Sequence, residues 1–289
     1  RMKMKKRKLM AGPFVGEFGY ELFEWQARIR KLSRSFDHTT IITRRSSFDL
    51  YGDFADELID YDPGSYDCTD FQCPSHHMEL VPGQFPKADE WLIPINPAQV
   101  RGALKGVKPE FTMYGRHEPD LWELSGIDIA IHARMMKSNE NFKKEKESRN
   151  WSVERWEELV QRLPGNLSIA SIGISEQAMH IRGTQNKLDM PLISTMTILR
   201  NAKIIIGPSS GPIHLATLCG CPQLTWSRKG HSVNLKNRYH IAWNPFNAPV
   251  HLLEYHSWSP PAKRVFAALK QFITQNSSNK LLSIQQKML

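Results

Sequence analysis

The sequence predicts an α/β protein made of two nucleotide-fold halves, each a parallel sheet with helices on its faces. Along the second half, short strands that are apolar throughout alternate with stretches of helix length, the pattern of a sheet covered on both sides. A shorter series of strand, glycine-bearing loop, helix and strand opens the chain. Between the two lies Gly115–Gly126, polar and interrupted by Pro119, which places a domain boundary inside it. The expected division is 1–120, 121–258, and a C-terminal helix and tail over 259–289.

In the first half, Lys8–Val15 reads as a strand, Glu21–Leu32 as a helix and Thr39–Thr43 as the next strand. Trp91–Ile95 and Phe111–Tyr114 are further strand candidates, with Ala98–Lys105 as a helix between them. The second half starts with Asp128–Ala133 as a buried strand. Ser152–Leu163 follows as an amphipathic helix with Ser152 as its N-cap and Pro164-Gly165 as its stop, because proline cannot continue a helix and glycine accepts the left-handed turn. Leu167–Gly173, Lys203–Gly207 and Gln223–Trp226 read as strands, separated by helices at Ser194–Ala202 and Gly211–Cys219. After Pro260-Pro261 one more helix, Ala262–Thr274, is expected, then a linker-like Gln275–Asn279 and a loose amphipathic tail.

Composition narrows the function classes. Hydrophobic residues are 40% of the 289, and with 17 glycines the apolar share approaches the ~45–50% of soluble globular domains. No run of ~18 uncharged apolar residues occurs, so no transmembrane segment is expected. The basic start is not followed by the apolar core of a secretory signal, and the expected address is the cytoplasm. Four cysteines in so long a chain do not make a disulfide framework. The 38 Lys and Arg against 29 Asp and Glu leave a formal charge of +9, which favours phosphates, nucleotides, nucleic acid or anionic lipid as partners. Part of the excess is the terminal cluster Arg1, Lys3, Lys5, Lys6, Arg7 and Lys8, which also fits a simple solvated terminus.

The strongest local signal is Ile205-Ile-Gly-Pro-Ser-Ser-Gly-Pro-Ile-His-Leu-Ala216, an apolar strand running through a small-residue turn into a helix. Such a turn presents unpaired amides to an anion. Gly211 lets a ligand approach, Ser209 and Ser210 add hydroxyls, and the helix N-terminus favours negative charge. Packing alone also accounts for glycine and serine at a βα turn, and His214, one turn into the helix, suits a core or capping role as well as a ligand. His132-Ala-Arg134 ends a strand where open α/β sheets bind ligands; Arg134 could fork onto a phosphate or form a surface ion pair. Met135–Asn150, with Lys137, Lys143, Lys144, Lys146 and Arg149 against Glu140, Glu145 and Glu147, reads either as a lid over an anion or as a solvated loop. Gly12–Leu22 places Glu17 between Gly16 and Gly19 just past the first strand, where a general base could reach a substrate. Glu21 fits better as a helix-starting residue that favours the dipole. Cys68, Cys73, His76 and His77 match no usual closed metal spacing, and no metal is expected. Cys219-Gly-Cys221 is explained by tight packing.

The stretch Ala202-Lys-Ile-Ile-Ile-Gly-Pro-Ser-Ser-Gly-Pro-Ile-His-Leu-Ala-Thr-Leu-Cys-Gly-Cys-Pro222 resembles the C-terminal donor motif of the family 9 glycosyltransferases, the lipopolysaccharide heptosyltransferase group. That motif is an apolar strand, Gly-x-Asp-[Ser/Thr]-Gly-x-x-His-Leu-Ala, then Gly-x-Pro. Ser209 stands where the acid is usual, while Ser210, Gly211 and His214 match. Arg149-Asn-Trp-Ser-Val-Glu-Arg-Trp156 is similar to the family's basic-x-Trp-Pro-x-x-Arg-[Phe/Trp] segment, and Ile172-Gly-Ile-Ser-Glu176 to its strand and following glutamate. The likeness runs from about Asp128 to Trp226. In the first half only Gly16-Glu17-Phe18-Gly19 stands where an acidic acceptor-side loop is expected. His132-x-Arg134 is also similar to the donor motif of certain fucosyltransferases, another branch of the same architecture.

The resemblance implies a GT-B fold, two Rossmann-like domains facing across a cleft, with the second holding a nucleoside-diphosphate sugar and the first an acceptor. It implies donor contacts for Arg149, Glu176, Ser210, Gly211 and His214 and an inverting transfer; the residues' own placement adds Arg134 and Ser209 to the expected donor contacts and Glu17 as base, with no metal and no cofactor beyond the donor expected. The acceptor is left open between a glycan, a lipid and a modified nucleic acid. A non-catalytic nucleotide- or nucleic-acid-binding module on a degenerate transferase fold is the competing class, favoured by the serine at 209. A sugar-nucleotide epimerase is a third.

Overall fold

The computed structural model describes residues 7–14, 16–61, 86–92, 104–115, 119–136, 149–276 and 278–288. The chain divides into two units, Arg1–Phe111 and Thr112–Leu289. Several expected features lie outside the described residues: Arg1, Lys3, Lys5 and Lys6; Cys68, Cys73, His76 and His77; the loop charges from Lys137 to Glu147; and most of the strand and helix expected over 93–103.

In the first unit, β1 (Lys8–Phe14), β2 (His38–Thr43), β3 (Glu57–Asp60) and β4 (Glu90–Leu92) form a parallel sheet in the order β3-β2-β1-β4. All of β1 after Lys8 is buried, which explains its unbroken apolar run. Between β1 and β2 the helix is interrupted: α1 (Phe18–Tyr20) passes into a π turn (Glu21–Trp25) before α2 (Gln26–Ser33). Because β2 and β3 lie on one side of β1 and β4 on the other, the loop after β1 opens at the point where strand order reverses, the place at which open α/β sheets take ligands.

The second unit holds β5 (Ile129–Ile131), β6 (Ile169–Gly173), β7 (Gln185–Leu188), β8 (Ile204–Pro208), β9 (Gln223–Arg228) and β10 (Val250–Tyr255), all parallel, in the order β10-β9-β8-β5-β6-β7. The central strands β5 and β8 carry Ile129, Ala130, Ile131 and Ile204–Ile206 with no exposed surface. Here the reversal falls between β5 and β8, so the turns after those two strands share one end of the sheet. The helices are α3 (Val153–Arg162), α4 (Leu192–Asn201), α5 (Gly211–Leu218), α6 (Ser232–Asn237), α7 (Ala262–Gln275) and α8 (Asn279–Met288), with a second π turn (Arg238–Ala242) directly after α6.

The predicted helix over Ser152–Leu163 forms because Trp156 and Leu159 share one face and are buried. Trp156 meets Trp151 edge-on at 4.8 Å and Trp226 at 5.7 Å, so the helix, its entry and β9 lock through three aromatic rings. Ser152 occupies the cap position without a side-chain bond to the helix backbone.

Two expectations are corrected. Phe111–Tyr114 joins neither sheet: Tyr114 gives its N–H to the Leu218 carbonyl at 2.9 Å, and Gly115 turns the chain at φ +71, where a Cβ would stand 2.2 Å from the Met196 carbonyl oxygen. The loose tail is instead helix α8, with Leu281 and Ile284 buried in the second unit's core. Its Lys287 pairs with Asp128 at 2.7 Å. Strands β3, β7 and β10 were absent from the sequence reading; their mixed burial shows why, since edge strands lack the apolar run that marks β5 and β8.

Candidate functional site

The turn after β8 leads into α5 through Ser210, whose backbone is extended at φ −165° and ψ 171°. Its hydroxyl does not cap the helix. The Ser210 Oγ is buried and has no hydrogen-bond partner among the described residues, and the same holds for His214 Nδ1 and Arg149 Nε. Ser209 is spoken for: it is buried, and the Tyr239 hydroxyl lies 3.1 Å from its Oγ, donating to it.

His214 sits one turn inside α5, 5.4 Å from the Tyr239 ring and 5.0 Å from Trp243 in an edge-on contact. Burial, with the positive charges of Arg238 and Arg149 adding to it, lowers its pKa to about 3, so the imidazole is neutral across the physiological range. Burial also pushes the Tyr239 phenol up to about 12, against the opposing pull of its bond to Ser209 and of the same two arginines. Both guanidiniums lie on aromatic faces: Arg238 is 4.6 Å from the Trp243 ring centre and Arg149 is 5.5 Å from that of Trp258. Neither has a carboxylate partner among the described residues. The entry to α5 is therefore positive from three sources, two guanidiniums and the helix dipole.

Arg149, Ser209, Ser210, Gly211 and His214 are thus brought together. Arg134 is placed differently. It follows β5, forms an isolated bridge with Ala178, and donates to Asn150 Oδ1 at 2.6 Å. Asn150 also bonds both the N–H and the carbonyl of Met136, tying the two ends of the 136–150 segment next to Arg149. His132, beside it, gives its ring to the Ile172 carbonyl at 3.1 Å, and burial lowers its pKa to about 4. Gly173 must be glycine there, since its φ is +129° and a Cβ would stand 2.9 Å from the His132 Nδ1. Glu176 is exposed in the turn after β6, a turn held by Asp189, whose Oδ1 accepts the Ser175 N–H at 2.8 Å.

Arg238, Tyr239 and Trp243 escaped the sequence reading. The one signal for them was an arginine beside a tyrosine, with a tryptophan closing the same short segment, in Arg238-Tyr-His-Ile-Ala-Trp243. Cys219 and Cys221 behave as expected of packing residues: both are buried, and burial pushes the Cys221 thiol up to about 11.

In the first unit, Glu17 precedes α1 with φ −62° and ψ 135°, and its carbonyl accepts the N–H groups of Tyr20 and Glu21 at 3.0 and 3.2 Å. Gly16 lies before it, half-buried, with its carbonyl bound by Arg44 at 2.8 Å, and Gly19 is buried inside α1. Glu21 does not serve the helix dipole as expected. Its side chain is fully buried and accepts bonds from Thr43, Ser47 and Tyr51, because the π turn directs it into the unit's interior. Among the described residues no group of three or more His, Cys, Asp or Glu side chains is placed to hold a metal ion, and no helix is long and apolar enough to cross a membrane.

Two parallel-sheet Rossmann-like units, the second with an anion-ready helix terminus at its strand-order reversal, define the GT-B fold of nucleotide-sugar glycosyltransferases. No protein-family model and no curated protein matches the chain. Among solved structures, it is similar to the ADP-heptose lipopolysaccharide heptosyltransferase II of E. coli, with a TM-score of 0.60 at 12% identity over 94% of this chain and 100% of that one. A family 9 glycosyl transferase from Veillonella parvula DSM 2008 gives 0.56 at 13% identity over 95% and 99%. The E. coli heptosyltransferase WaaC, solved with ADP-2-deoxy-2-fluoro heptose, gives 0.55 at 11% identity over 94% and 100%. The chain therefore has the GT-B fold as family 9 glycosyltransferases carry it.

Proposed function

We propose that this chain is a glycosyltransferase that moves a sugar from a nucleoside-diphosphate sugar to an acceptor hydroxyl, with inversion and without a metal ion. The observation that carries the reading is the convergence at the start of α5 of three buried polar atoms, Ser210 Oγ, His214 Nδ1 and Arg149 Nε, that have no hydrogen-bond partner among the described residues, with the Arg149 and Arg238 guanidiniums close enough to act on His214 and unpaired with any acid among those residues. Leaving such atoms unpaired costs about 1–3 kcal/mol each, and a diphosphate supplies what they lack. The fold shared with the heptosyltransferases supports a nucleoside-diphosphate sugar as the ligand of such a terminus.

In this reading Arg149, Arg238, Ser210 and the α5 amides at Gly211 hold the departing diphosphate, Ser209 and His214 shape the pocket as neutral groups, and Arg134 and Glu176 flank it from the turns after β5 and β6. Glu17 takes the acceptor's proton. The acceptor oxygen forms its bond to the anomeric carbon as the bond from that carbon to the phosphate oxygen breaks, and the electron pair leaves with the nucleoside diphosphate. Preorganised positive potential stabilises that developing charge, so neither metal nor further cofactor is invoked. The acceptor is a glycan, a lipid headgroup or a modified nucleic acid, and the reaction takes place in the cytoplasm.

Incubation with a panel of nucleoside-diphosphate sugars tests the reading. The expected result is slow release of nucleoside diphosphate from at least one donor, reduced in Arg149→Ala. Absence of both turnover and binding across the panel overturns it. The serine at 209 favours a second reading, a binding module that no longer transfers, and that one would show as tight binding without turnover. An epimerase would show as interconversion of the sugar with the donor's diphosphate linkage intact. Retention on DNA that falls steeply with salt would single out the nucleic-acid acceptor.

A further inference from the structure

Glu21 is buried without exposed surface, yet both its carboxylate oxygens are partnered. Oε1 accepts Thr43 Oγ1 at 3.0 Å and the Tyr51 hydroxyl at 2.8 Å; Oε2 accepts Ser47 Oγ at 2.9 Å and faces the Arg44 guanidinium at 3.6 Å. Three hydroxyl donors, two on Oε1 and one on Oε2, with a guanidinium facing Oε2, satisfy most of the roughly four lone-pair sites of a carboxylate. Burying a carboxylate is costly unless it is paired in this way, so the cluster is a built feature. The π turn is what places it. The Gln26 N–H reaches back five residues to the Glu21 carbonyl, widening the turn and rotating the side chain inward.

Both ends of the Glu17 segment run back to this one residue. The Glu21 N–H bonds the Glu17 carbonyl at 3.2 Å. Arg44, held against the Glu21 carboxylate, donates to the Gly16 carbonyl at 2.8 Å. The peptide before Glu17 is gripped by the side-chain arm and the peptide after it by the backbone arm. Thr43 ends β2 and Ser47 lies in the segment just after it, so the cluster also ties the helical segment that follows β1 to the carboxyl end of β2.

We propose that Glu21 is a positioning residue that, through Arg44 and its own amide, fixes the orientation of Glu17. This rests on the reading of Glu17 as the base. Misplacing a reacting group by about 1 Å costs up to 10²-fold in rate, so loosening this clamp should lower turnover while leaving donor binding, which resides in the second unit, as it is.

The test uses the full chain with Arg44→Met, Arg44→Lys and Glu21→Gln, beside Glu17→Gln as the reference. Arg44 is 31% exposed, but Arg44→Met leaves the buried Glu21 carboxylate without its cation, so Arg44→Lys, which keeps the charge, is the variant that spares the fold, and thermal unfolding of each variant is measured beside its rate. The expected result for Arg44→Met is a kcat lowered about tenfold or more, an unchanged KM for the donor, and partial recovery in Arg44→Lys. Amide exchange at Tyr20 and Glu21, whose N–H groups bond the Glu17 carbonyl, should be faster in Arg44→Met, a readout that needs no activity. Unchanged kcat and unchanged exchange overturn the inference, as does a fall in kcat accompanied by an equal loss of donor binding. If Glu17→Gln transfers at the wild-type rate, it is the base assignment that fails; if Glu17→Gln is inactive while Arg44→Met is normal in rate and exchange, the positioning role alone fails.

Discussion

Acidification from pH 7 to pH 5 should strip several kcal/mol of stability from this protein, and two histidines in the second unit are the reason. Burial lowers His132 to about 4 and His214 to about 3, against an ordinary value near 6.5. A group whose pKa is depressed by folding binds its proton more readily in the unfolded chain. The stability it lends is therefore complete above pH 6.5 and is lost as pH falls toward the folded value. Between pH 6.5 and pH 5 each histidine costs roughly 1.36 kcal/mol per pH unit, or about 2 kcal/mol, and the pair about 4 kcal/mol. His251, lowered by partial burial, adds in the same direction. That is a large part of the 5–15 kcal/mol typical of a folded domain. Urea unfolding at pH 7, 6 and 5 measures it, comparing wild type with His132→Asn plus His214→Gln. The variant should lose about 4 kcal/mol less over this range, whatever its absolute stability. A flat wild-type profile, or an equal drop in both proteins, would refute the burial argument for these rings.

Replacing Arg238 or Arg149 by Met should weaken nucleoside diphosphate binding roughly 10- to 100-fold each by calorimetry, since a hydrogen bond to a charged group contributes about 1.5–3 kcal/mol. The melting temperature should barely move, because neither guanidinium has an acidic partner among the described residues to leave behind. Ser209→Asp should weaken the same binding by bringing negative charge beside the two arginines, an effect that high salt would diminish. Gly12→Ala should abolish soluble expression, as Gly12 has φ +118° and a Cβ there would stand 2.0 Å from the Ile42 carbonyl oxygen; Gly165→Ala, with open space at that Cβ, is the neutral control. Trp156→Ala should cost about 3–5 kcal/mol in urea unfolding by opening a hole between Trp151 and Trp226.

What could be read from residues alone follows from how each part is buried. Strands β5 and β8 declare themselves because both faces are covered and every position is apolar, and the turn after β8 stands out because serine and glycine there interrupt an otherwise greasy run. Arg149 was legible through its neighbours Trp151 and Trp156, which turn out to anchor the core beneath it. Arg238 and Tyr239 were not. They reach the pocket because a π turn after α6 rotates them inward, and nothing in helical or strand periodicity encodes that extra residue in the turn. Glu21 was misread for the same reason. A carboxylate near a helix start normally serves the dipole, and only the tertiary meeting of the segment after β1 with the end of β2 and the residues that follow it supplies the three hydroxyls that take it inside.

The serine at 209 then has a physical consequence beyond a missing contact. An acid there would face the Tyr239 hydroxyl at hydrogen-bond distance and share the field of Arg149 and Arg238, offsetting part of the positive charge before any ligand arrives. With serine, the tyrosine proton still has an acceptor at 3.1 Å, so the packing around His214 survives, while both arginines keep their full charge for the ligand. The pocket therefore relies on an incoming anion to complete its electrostatics. A diphosphate, which carries its charge on two adjacent groups, matches a pair of guanidiniums and a helix terminus better than a single phosphate does. On the proposed reading, serine at this position favours grip on the diphosphate over a carboxylate's contact with the rest of the donor, and tight binding without turnover is what the alternative of a non-transferring module would show.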